Sequence, residues 1–312
     1  MTVGPVRDRV TTVRNVSAMF GMDVRSDATS LGMFLGQDRR PRLAWRILSA
    51  WLGLFGCVLI IGLTAQAATV WLPPVISHAA AGLGLTVGAL GLVFLLRRHA
   101  DRRRWSGIGL TVDRAAIPHL LWGIVLAAMI TAIAAGATVQ LGLADWDWSA
   151  GATAISPEGG LATTIVVIAM STLLVQGFPE ELIFRGYMFR NLGGTLPLWA
   201  TVASSSLLFG SMHVFSNGGA TTLGERGLYA VAMTGFGLML AACRTISGTL
   251  WLGIGFHGGY DAFHGHFITV HQDAFIPAWL IILAVFIGGT ACTIAVRQWR
   301  APLNWRAIPG DS

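Results

Sequence analysis

The chain has 312 residues, of which 54% are hydrophobic and only 12% are charged. Soluble domains carry about 25% charged residues, so this composition excludes an ordinary soluble enzyme and indicates a protein that crosses a membrane several times. The net charge of +6 comes from arginine alone, since the chain has no lysine, and it lies in flanks and loops. It therefore reports topology and contact with anionic lipid, and nothing in the chain indicates binding to nucleic acid.

Eight apolar segments are long enough to cross a bilayer as helices, which takes about 20 residues each. In chain order they cover roughly 45–66, 74–96, 117–143, 161–190, 197–214, 227–243, 249–268 and 274–296. We predict an all-α fold, a polytopic bundle of about eight transmembrane helices. The membrane domain covers residues 45–296, between a polar, arginine-rich N-terminal segment at 1–44 and a tail at 297–312.

The fourth apolar segment, at roughly 161–190, is too long for one straight crossing at about 1.5 Å per residue. It contains Gly177 and Pro179, and proline removes a backbone hydrogen bond and clashes with the preceding turn of a helix. We therefore predict that the transmembrane part ends near Phe178 and that a separate helical segment follows.

The arginines predict the orientation, because basic residues collect in the cytoplasmic loops and flanks of membrane proteins. The N-terminal flank holds eight arginines, the 97–116 loop holds six, and the C-terminal tail holds three. The opposite loops hold four acidic residues and one arginine: Asp145, Asp147, Glu158, Asp273 and Arg226. We predict that the N- and C-termini are both cytoplasmic.

Ionisable side chains inside membrane spans are costly and indicate function by default. Glu180 and Glu181 are adjacent in the fourth apolar segment, and Arg185 follows. On a helix, Glu181 and Arg185 are i,i+4 neighbours in the favourable order for an ion pair. Glu180 is turned about 100° away, given 3.6 residues per turn, so we predict that Arg185 holds Glu181 and leaves Glu180 free.

Two later segments also carry polar residues. His213 ends the fifth segment, and His257 and Asp261 lie one turn apart on a face of the seventh that His264 extends. A polar face buried in a bundle needs partners, and we expect Glu180 and His213 to supply them. His264, His266 and His271 drift toward the outer end of the span, where we expect interfacial residues.

These motifs, in this order, resemble the CPBP family of CAAX prenyl endopeptidases and bacteriocin-processing enzymes, also called the Abi family of intramembrane proteases. They read Glu180-Glu181-Leu182-Ile183-Phe184-Arg185, Phe209-Gly210-Ser211-Met212-His213 and His257-Gly258-Gly259-Tyr260-Asp261. The stretch Arg244 to Trp251 resembles the family's lead into the third motif, and the resemblance covers about residues 160–268. Position 261 departs from the prenyl-protein branch, which has Asn, and is similar to many bacterial members, which have Asp.

The resemblance implies an integral protein of a bacterial plasma membrane that cleaves a membrane-associated peptide or protein in a cavity among the later helices. Peptide hydrolysis needs an activated water, a stabilised oxyanion and a proton for the leaving amine. We assign Glu180 as the general base, and Glu181, paired with Arg185, as its neighbour that orients and tunes it. His213 positions the water or shares its proton, and His257 donates to the oxyanion with Asp261 beside it.

The same residue types could instead bind Zn²⁺, with one position left for water. The ligands would be Glu180, His213, His257 and Asp261, although no His-Glu-x-x-His helix is present. We favour a metal-independent glutamate protease without a cofactor and keep the zinc metalloprotease as its rival.

Two functions of other classes are alternatives. One is a catalytically silent scaffold that binds a partner membrane protein, although such a scaffold does not need Glu180 and both histidines together. The other is a proton-coupled transporter, but transporters of this kind are often built from inverted repeats, and no internal repeat is apparent here. The sequence carries no signal for an oligomeric state.

Overall fold

The computed structural model describes residues 33–36, 38–68, 70–147, 160–216 and 218–307. Most of the predicted N-terminal segment 1–44, Glu158 and the last residues of the tail lie outside them. The described part is a helix bundle with one two-stranded sheet, which confirms the predicted all-α polytopic fold. Its helices are α1 Leu43–Ala68, α2 Pro74–Leu95, α3 Ala116–Gln140, α4 Leu161–Gly193, α5 Leu198–Met212, α6 Leu223–Ser247, α7 Trp251–Phe267 and α8 Phe275–Arg300.

All eight predicted apolar segments are helical, and the chain is an integral membrane protein. Six helices are long and apolar enough to cross a membrane: α1, α2, α3, α4, α6 and α8. Helix α5 has 15 residues and α7 has 17, so both are shorter than a full crossing of about 20 residues. The predicted site residues of the later segments belong to these two short helices: His213 follows the last residue of α5, and His257 and Asp261 lie on α7.

Helix α4 is continuous, so the predicted break near Phe178 is wrong. The helix runs from Leu161 to Gly193 and widens into two π-helical stretches, Ser171–Gly177 and Leu182–Met188. Pro179 follows the first of them, in the short α-helical piece Phe178–Glu181. The widened turn accommodates the proline, because an i→i−5 turn relieves the clash that a proline ring makes in regular α-helix.

Glycines bring α7 close to two neighbours. Gly123 of α3 lies against the backbone of Leu252 and Phe256, and Gly255 of α7 lies against the carbonyl of Leu120. On the other side, a Cβ at Gly177 of α4 would lie 3.2 Å from the amide nitrogen of Gly258. Small residues let membrane helices approach closely, and here they hold α7 between α3 and α4.

One end of the bundle carries the sheet, formed by β1 (Ala144–Trp146) and β2 (Ile268–Val270). The strands are antiparallel, with Asp145 opposite Thr269. His271, just after β2, places Nε2 2.8 Å from Oδ2 of Asp145. This contact joins the segment after α3 to the segment after α7.

The opposite end is covered by the loop between α2 and α3. Ile108 is fully buried and packs against Gly186 of α4. The carbonyl of Gly109 accepts a hydrogen bond of 2.9 Å from the amide of Leu250, and that of Thr111 accepts one of 2.5 Å from Nε1 of Trp251. The loop therefore fixes the start of α7 relative to α4.

Candidate active site

Glu181 and Arg185 form a buried ion pair on α4. Oε1 of Glu181 lies 3.0 Å from Nη1 of Arg185, and both side chains are 0% exposed. Nη2 of Arg185 donates to the carbonyl of Gly237 on α6 at 2.9 Å, and its guanidinium lies 4.4 Å from the ring centroid of Phe209 on α5. Arg185 thus contacts three helices, and its position is fixed by all of them.

Two glycines leave room for this pair. A Cβ at Gly253 of α7 would lie 2.8 Å from Oε2 of Glu181, closer than side-chain packing allows. A Cβ at Gly237 would lie 3.2 Å from Nη2 of Arg185. The glutamate and the arginine therefore fit into space that only glycine leaves open.

His257 on α7 joins three carboxylates. Its Nδ1 lies 3.3 Å from Oε1 of Glu181, while its Nε2 lies 3.5 Å from Oδ2 of Asp261 and 3.9 Å from Oε2 of Glu180. The imidazole is buried, and the rings of Phe209 and Phe236 pack edge-on against it. One nitrogen thus faces the buried ion pair and the other faces Glu180 and Asp261.

Glu180 differs from Glu181 in exposure and in partners. The Glu180 side chain is 15% exposed and that of Asp261 is 21% exposed, whereas that of Glu181 is fully buried. Oε2 of Glu180 and Oδ2 of Asp261 have no hydrogen-bond partner within the part of the chain that the structure describes. These two buried oxygens and Nε2 of His257 form a small polar group, and the exposed parts of the Glu180 and Asp261 side chains lie at its edge.

His213 lies beside this group without bonding to it. It caps the end of α5, where its Nδ1 lies 3.0 Å from the carbonyl of Phe209. The Phe209 ring contacts both imidazoles, with centroids 4.6 Å from His213 and 5.7 Å from His257. Across the described ranges, none of the hydrogen bonds of His213 reaches Glu180, His257 or Asp261.

Of the outer histidines, His264 is more enclosed than an interfacial residue. Its Nε2 is buried, and its ring stacks on Tyr260 at a centroid distance of 5.1 Å. His271 lies in the loop after β2, beyond the end of α7, which is the outer position that the sequence analysis expected for it.

The residues proposed for zinc do not fit a common ion. Among the described side chains, no three of His, Cys, Asp or Glu converge in a way that could hold a metal. His213 is the member that departs most from the set, because its Nδ1 faces a carbonyl of its own helix. We therefore derive no step through a metal.

A second buried polar cluster, which the sequence analysis missed, contacts α4 at Tyr187 and Asn191, shortly after Arg185. Asp101 is 0% exposed and accepts hydrogen bonds from Arg46 at 3.2 Å, from Arg97 at 3.4 Å, from Tyr187 at 3.1 Å and from Asn191 at 3.2 Å. It ties α1 and the end of α2 to α4, the helix that carries the glutamates. The sequence analysis used the arginines only to predict topology. Tyr187 and Asn191, at i and i+4 on α4, were the signal that could have predicted a polar face there.

Comparison with known proteins gives one match. Residues 162–263 match the family described as Rce1-like, type II CAAX prenyl endopeptidase Rce1-like. The matched segment agrees with the region of the motifs and contains all six predicted site residues. No curated protein matches the chain. The match at residues 162–263 supports the resemblance of this region to the CAAX protease and bacteriocin-processing (CPBP) family of intramembrane endopeptidases.

Proposed function

We propose that this protein is a metal-independent endopeptidase that hydrolyses a peptide bond of a membrane-associated peptide or protein, with Glu180 as the general base. The observation that carries the proposal is the division of labour between two adjacent carboxylates. Glu181 is fully buried and its Oε1 is shared between Arg185 and His257, whereas the Glu180 side chain is 15% exposed and its nearest ionisable partner is Nε2 of His257 at 3.9 Å.

A general base needs a free lone pair that reaches the water it deprotonates. Oε2 of Glu180 meets this need, because no described residue donates to it. Oε2 of Glu181 also lacks a partner, but the Glu181 side chain is fully buried and its Oε1 is held by Arg185 and His257. We therefore assign Glu181 and Arg185 as positioning residues.

His257 is oriented by Glu181 through Nδ1, and its Nε2 points to the side where Glu180 and Asp261 lie. A donor held in place before the reaction stabilises charge that develops in the transition state. As an imidazolium, His257 donates at both nitrogens: Nδ1–H to Glu181 and Nε2–H to the oxyanion. Asp261 lies beside Nε2, 3.5 Å away, where its side-chain oxygen orients the imidazole.

The reaction then has two steps. Glu180 takes a proton from water while the water oxygen forms a bond to the peptide carbonyl carbon, and the carbonyl oxygen becomes an oxyanion that accepts from His257. Glu180 next gives its proton to the amide nitrogen as the C–N bond breaks. The products are a carboxylic acid and an amine, which pass one proton between them and leave as a carboxylate and an ammonium ion, and Glu180 returns to its ionised state.

The substrate class follows from the family and the location. The family description names a CAAX prenyl endopeptidase, and for this chain we infer a peptide that reaches Glu180 from within or beside the membrane. The polar group lies among α4 and α7, with α7 too short to cross the membrane. A peptide segment can therefore approach it beside the end of a short helix.

The test compares the peptide termini in membranes of cells that make the wild type, Glu180→Gln or Asp273→Asn. Glutamine keeps the size of Glu180 and removes its basicity. Asp273 lies in the loop before α8 and serves as the carboxylate control. We expect termini that depend on the wild type to persist with Asp273→Asn and to fall about 10²–10⁴-fold in rate of formation with Glu180→Gln.

Equal thermal stability of the purified proteins shows that the loss is chemical. Two results contradict the proposal. Unchanged termini with Glu180→Gln remove the base assignment, and no difference between cells with and without the wild type favours a scaffold that binds but does not cleave.

A further inference from the structure

The segment that follows α2 forms a strongly basic cavity that the proposed catalytic reaction does not use. The cavity has a volume of about 590 Å³, within the range of about 300–1,000 Å³ typical of small-molecule sites. Five arginines line it: Arg97, Arg98, Arg102, Arg103 and Arg104. Consecutive arginines are common in the flanks of membrane spans, but here five of them line a single cavity.

The cavity has a fixed frame. Arg97 is 3% exposed, and its guanidinium donates to the carbonyl of Arg104 at 2.5 and 3.1 Å and to that of Ser106 at 3.0 Å. These hydrogen bonds hold the loop at Arg104 and Ser106 against the end of α2. Arg102 lies at the bend with a φ of 52°, in the left-handed region.

The charge in the cavity is not neutralised from within. Asp101 lies beneath it, and its carboxylate is already shared by Arg46 and Arg97. Arg98, Arg102 and Arg104 are exposed, and within the described ranges no carboxylate or carbonyl accepts from their guanidinium groups. Three positive charges therefore face one space without an internal counter-charge.

The cavity lies where the membrane ends. The apolar span that begins with α2 runs on to Ala100, so the arginines in its last turn and just beyond it lie at the level of lipid headgroups. Phe94, which is 52% exposed, and Trp105 line the same cavity. Aromatic side chains favour this interface between hydrocarbon and water, and they give the cavity an apolar side that faces the acyl chains.

We propose that this cavity binds the phosphate group of an anionic phospholipid. Guanidinium groups bind phosphate through paired hydrogen bonds, and basic pockets beside membrane helices take up anionic headgroups. A free phosphate ion offers similar acceptor oxygens to the arginines but makes no contact that needs Phe94 or the neighbouring apolar span. The position of the cavity therefore favours the lipid as the source of the phosphate.

Binding at this cavity stabilises the helix that carries the glutamates. Arg97 lines the cavity and also contacts Asp101, which accepts from Tyr187 and Asn191 of α4. A lipid that restrains the frame around Arg97 thus restrains α4. The observable consequence is a higher thermal unfolding midpoint, and this expectation does not depend on the proposed peptidase activity.

The test uses the full chain in a neutral detergent, titrated separately with dioleoylphosphatidylglycerol, dioleoylphosphatidylcholine and inorganic pyrophosphate. The pocket variant carries Arg98→Gln, Arg102→Gln and Arg104→Gln. The control loses the same charge at exposed positions outside the cavity, through Arg114→Gln, Arg300→Gln and Arg306→Gln. The thermal midpoint is followed at each step, and native mass spectrometry counts the retained lipids.

We expect phosphatidylglycerol to raise the midpoint of the wild type and of the control at similar concentrations. The pocket variant should need at least about tenfold more of it, since each basic residue near the surface strengthens the attraction to anionic lipid. Phosphatidylcholine should have no such effect. If the triple variant does not fold, Arg98→Gln and Arg104→Gln are titrated singly and should each weaken the response.

Equal responses of the wild type, the control and the pocket variant overturn the site, because the attraction is then a general effect of net charge. A response of the wild type to pyrophosphate equal to that for phosphatidylglycerol overturns the lipid as the source of the phosphate.

Discussion

Oε1 of Glu181 lies 3.0 Å from Nη1 of Arg185, and the same oxygen lies 3.3 Å from Nδ1 of His257. One buried carboxylate oxygen therefore serves the guanidinium of its own helix and the imidazole of another. This sharing links the stability of the bundle to the orientation of the proposed oxyanion donor.

The first prediction concerns this ion pair. Arg185→Met leaves the buried Glu181 without its cation and should destabilise the protein by about 3–5 kcal/mol. The double variant Glu181→Gln with Arg185→Met should be more stable than Arg185→Met alone, because no unpaired charge is then left in the interior. Thermal unfolding in detergent measures both, and a single variant as stable as the wild type would show that the pair does not hold α4.

The second prediction uses the glycine beside Glu181. Gly253→Ala puts a Cβ 2.8 Å from Oε2 of Glu181 and should displace the carboxylate from Arg185 and His257. We expect peptidase activity to fall about tenfold or more, since small misplacements of catalytic groups carry large costs. Gly265→Ala on the same helix is the matched control, because a Cβ there meets nothing within 4 Å.

Gly265→Ala should leave activity unchanged and favour the helix slightly, by about 1 kcal/mol at most. If Gly253→Ala behaves like this control, the position of Glu181 does not limit the reaction.

The sequence predicted those parts of the site that depend on spacing within one helix. Apolar length located all eight helices, and the i,i+4 rule gave the pair of Glu181 with Arg185 and the contact of His257 with Asp261. These contacts need only the geometry of a single helix, which the sequence contains.

Contacts between helices were beyond this reasoning. The contact of His257 with Glu181 depends on how closely α7 approaches α4, which glycines such as Gly258 permit. The continuity of α4 through Pro179 depends on a π-helical turn, and no local sequence pattern predicts such a turn. The cluster at Asp101 joins residues up to 145 positions apart in the sequence, such as Arg46 and Asn191. Considered one at a time, its members indicate only topology or an exposed helix surface.

The third prediction concerns pH at the sheet. The hydrogen bond with Asp145 raises the pKa of His271 above its ordinary value, and the charge of Asp273 adds to this. A histidine whose pKa is raised on folding stabilises the protein fully below its unfolded pKa of about 6.5 and loses that contribution as pH rises through the raised value. The His271 contact should therefore stabilise the segment around β1 and β2 fully below about pH 6.5 and lose this contribution at pH values above the raised pKa.

The measurement compares thermal midpoints of the wild type and Asp145→Asn across pH. The wild type should be the more stable at about pH 6, and the difference should close by about pH 9, when His271 is neutral. Asp273→Asn is the control and should show a smaller difference, since Asp145 is the direct partner. A difference that is constant with pH would mean that the charge of His271 does not contribute.

The fourth prediction concerns metal, and it separates the glutamate mechanism from its zinc rival. Dialysis of the purified protein against a chelator should leave peptidase activity intact, because the proposed steps use only Glu180, His257 and water. Asp261→Asn should keep most of the activity, since the amide is the same size and can still contact Nε2 of His257, 3.5 Å away in the wild type. Asp261→Ala removes that contact and should lower activity further.

A zinc ligand behaves differently, because Asn lacks the charge that holds the ion. About one zinc per chain, lost with the activity on dialysis and restored with it on adding zinc, together with a steep loss in Asp261→Asn, would replace the glutamate mechanism with a metal-dependent one.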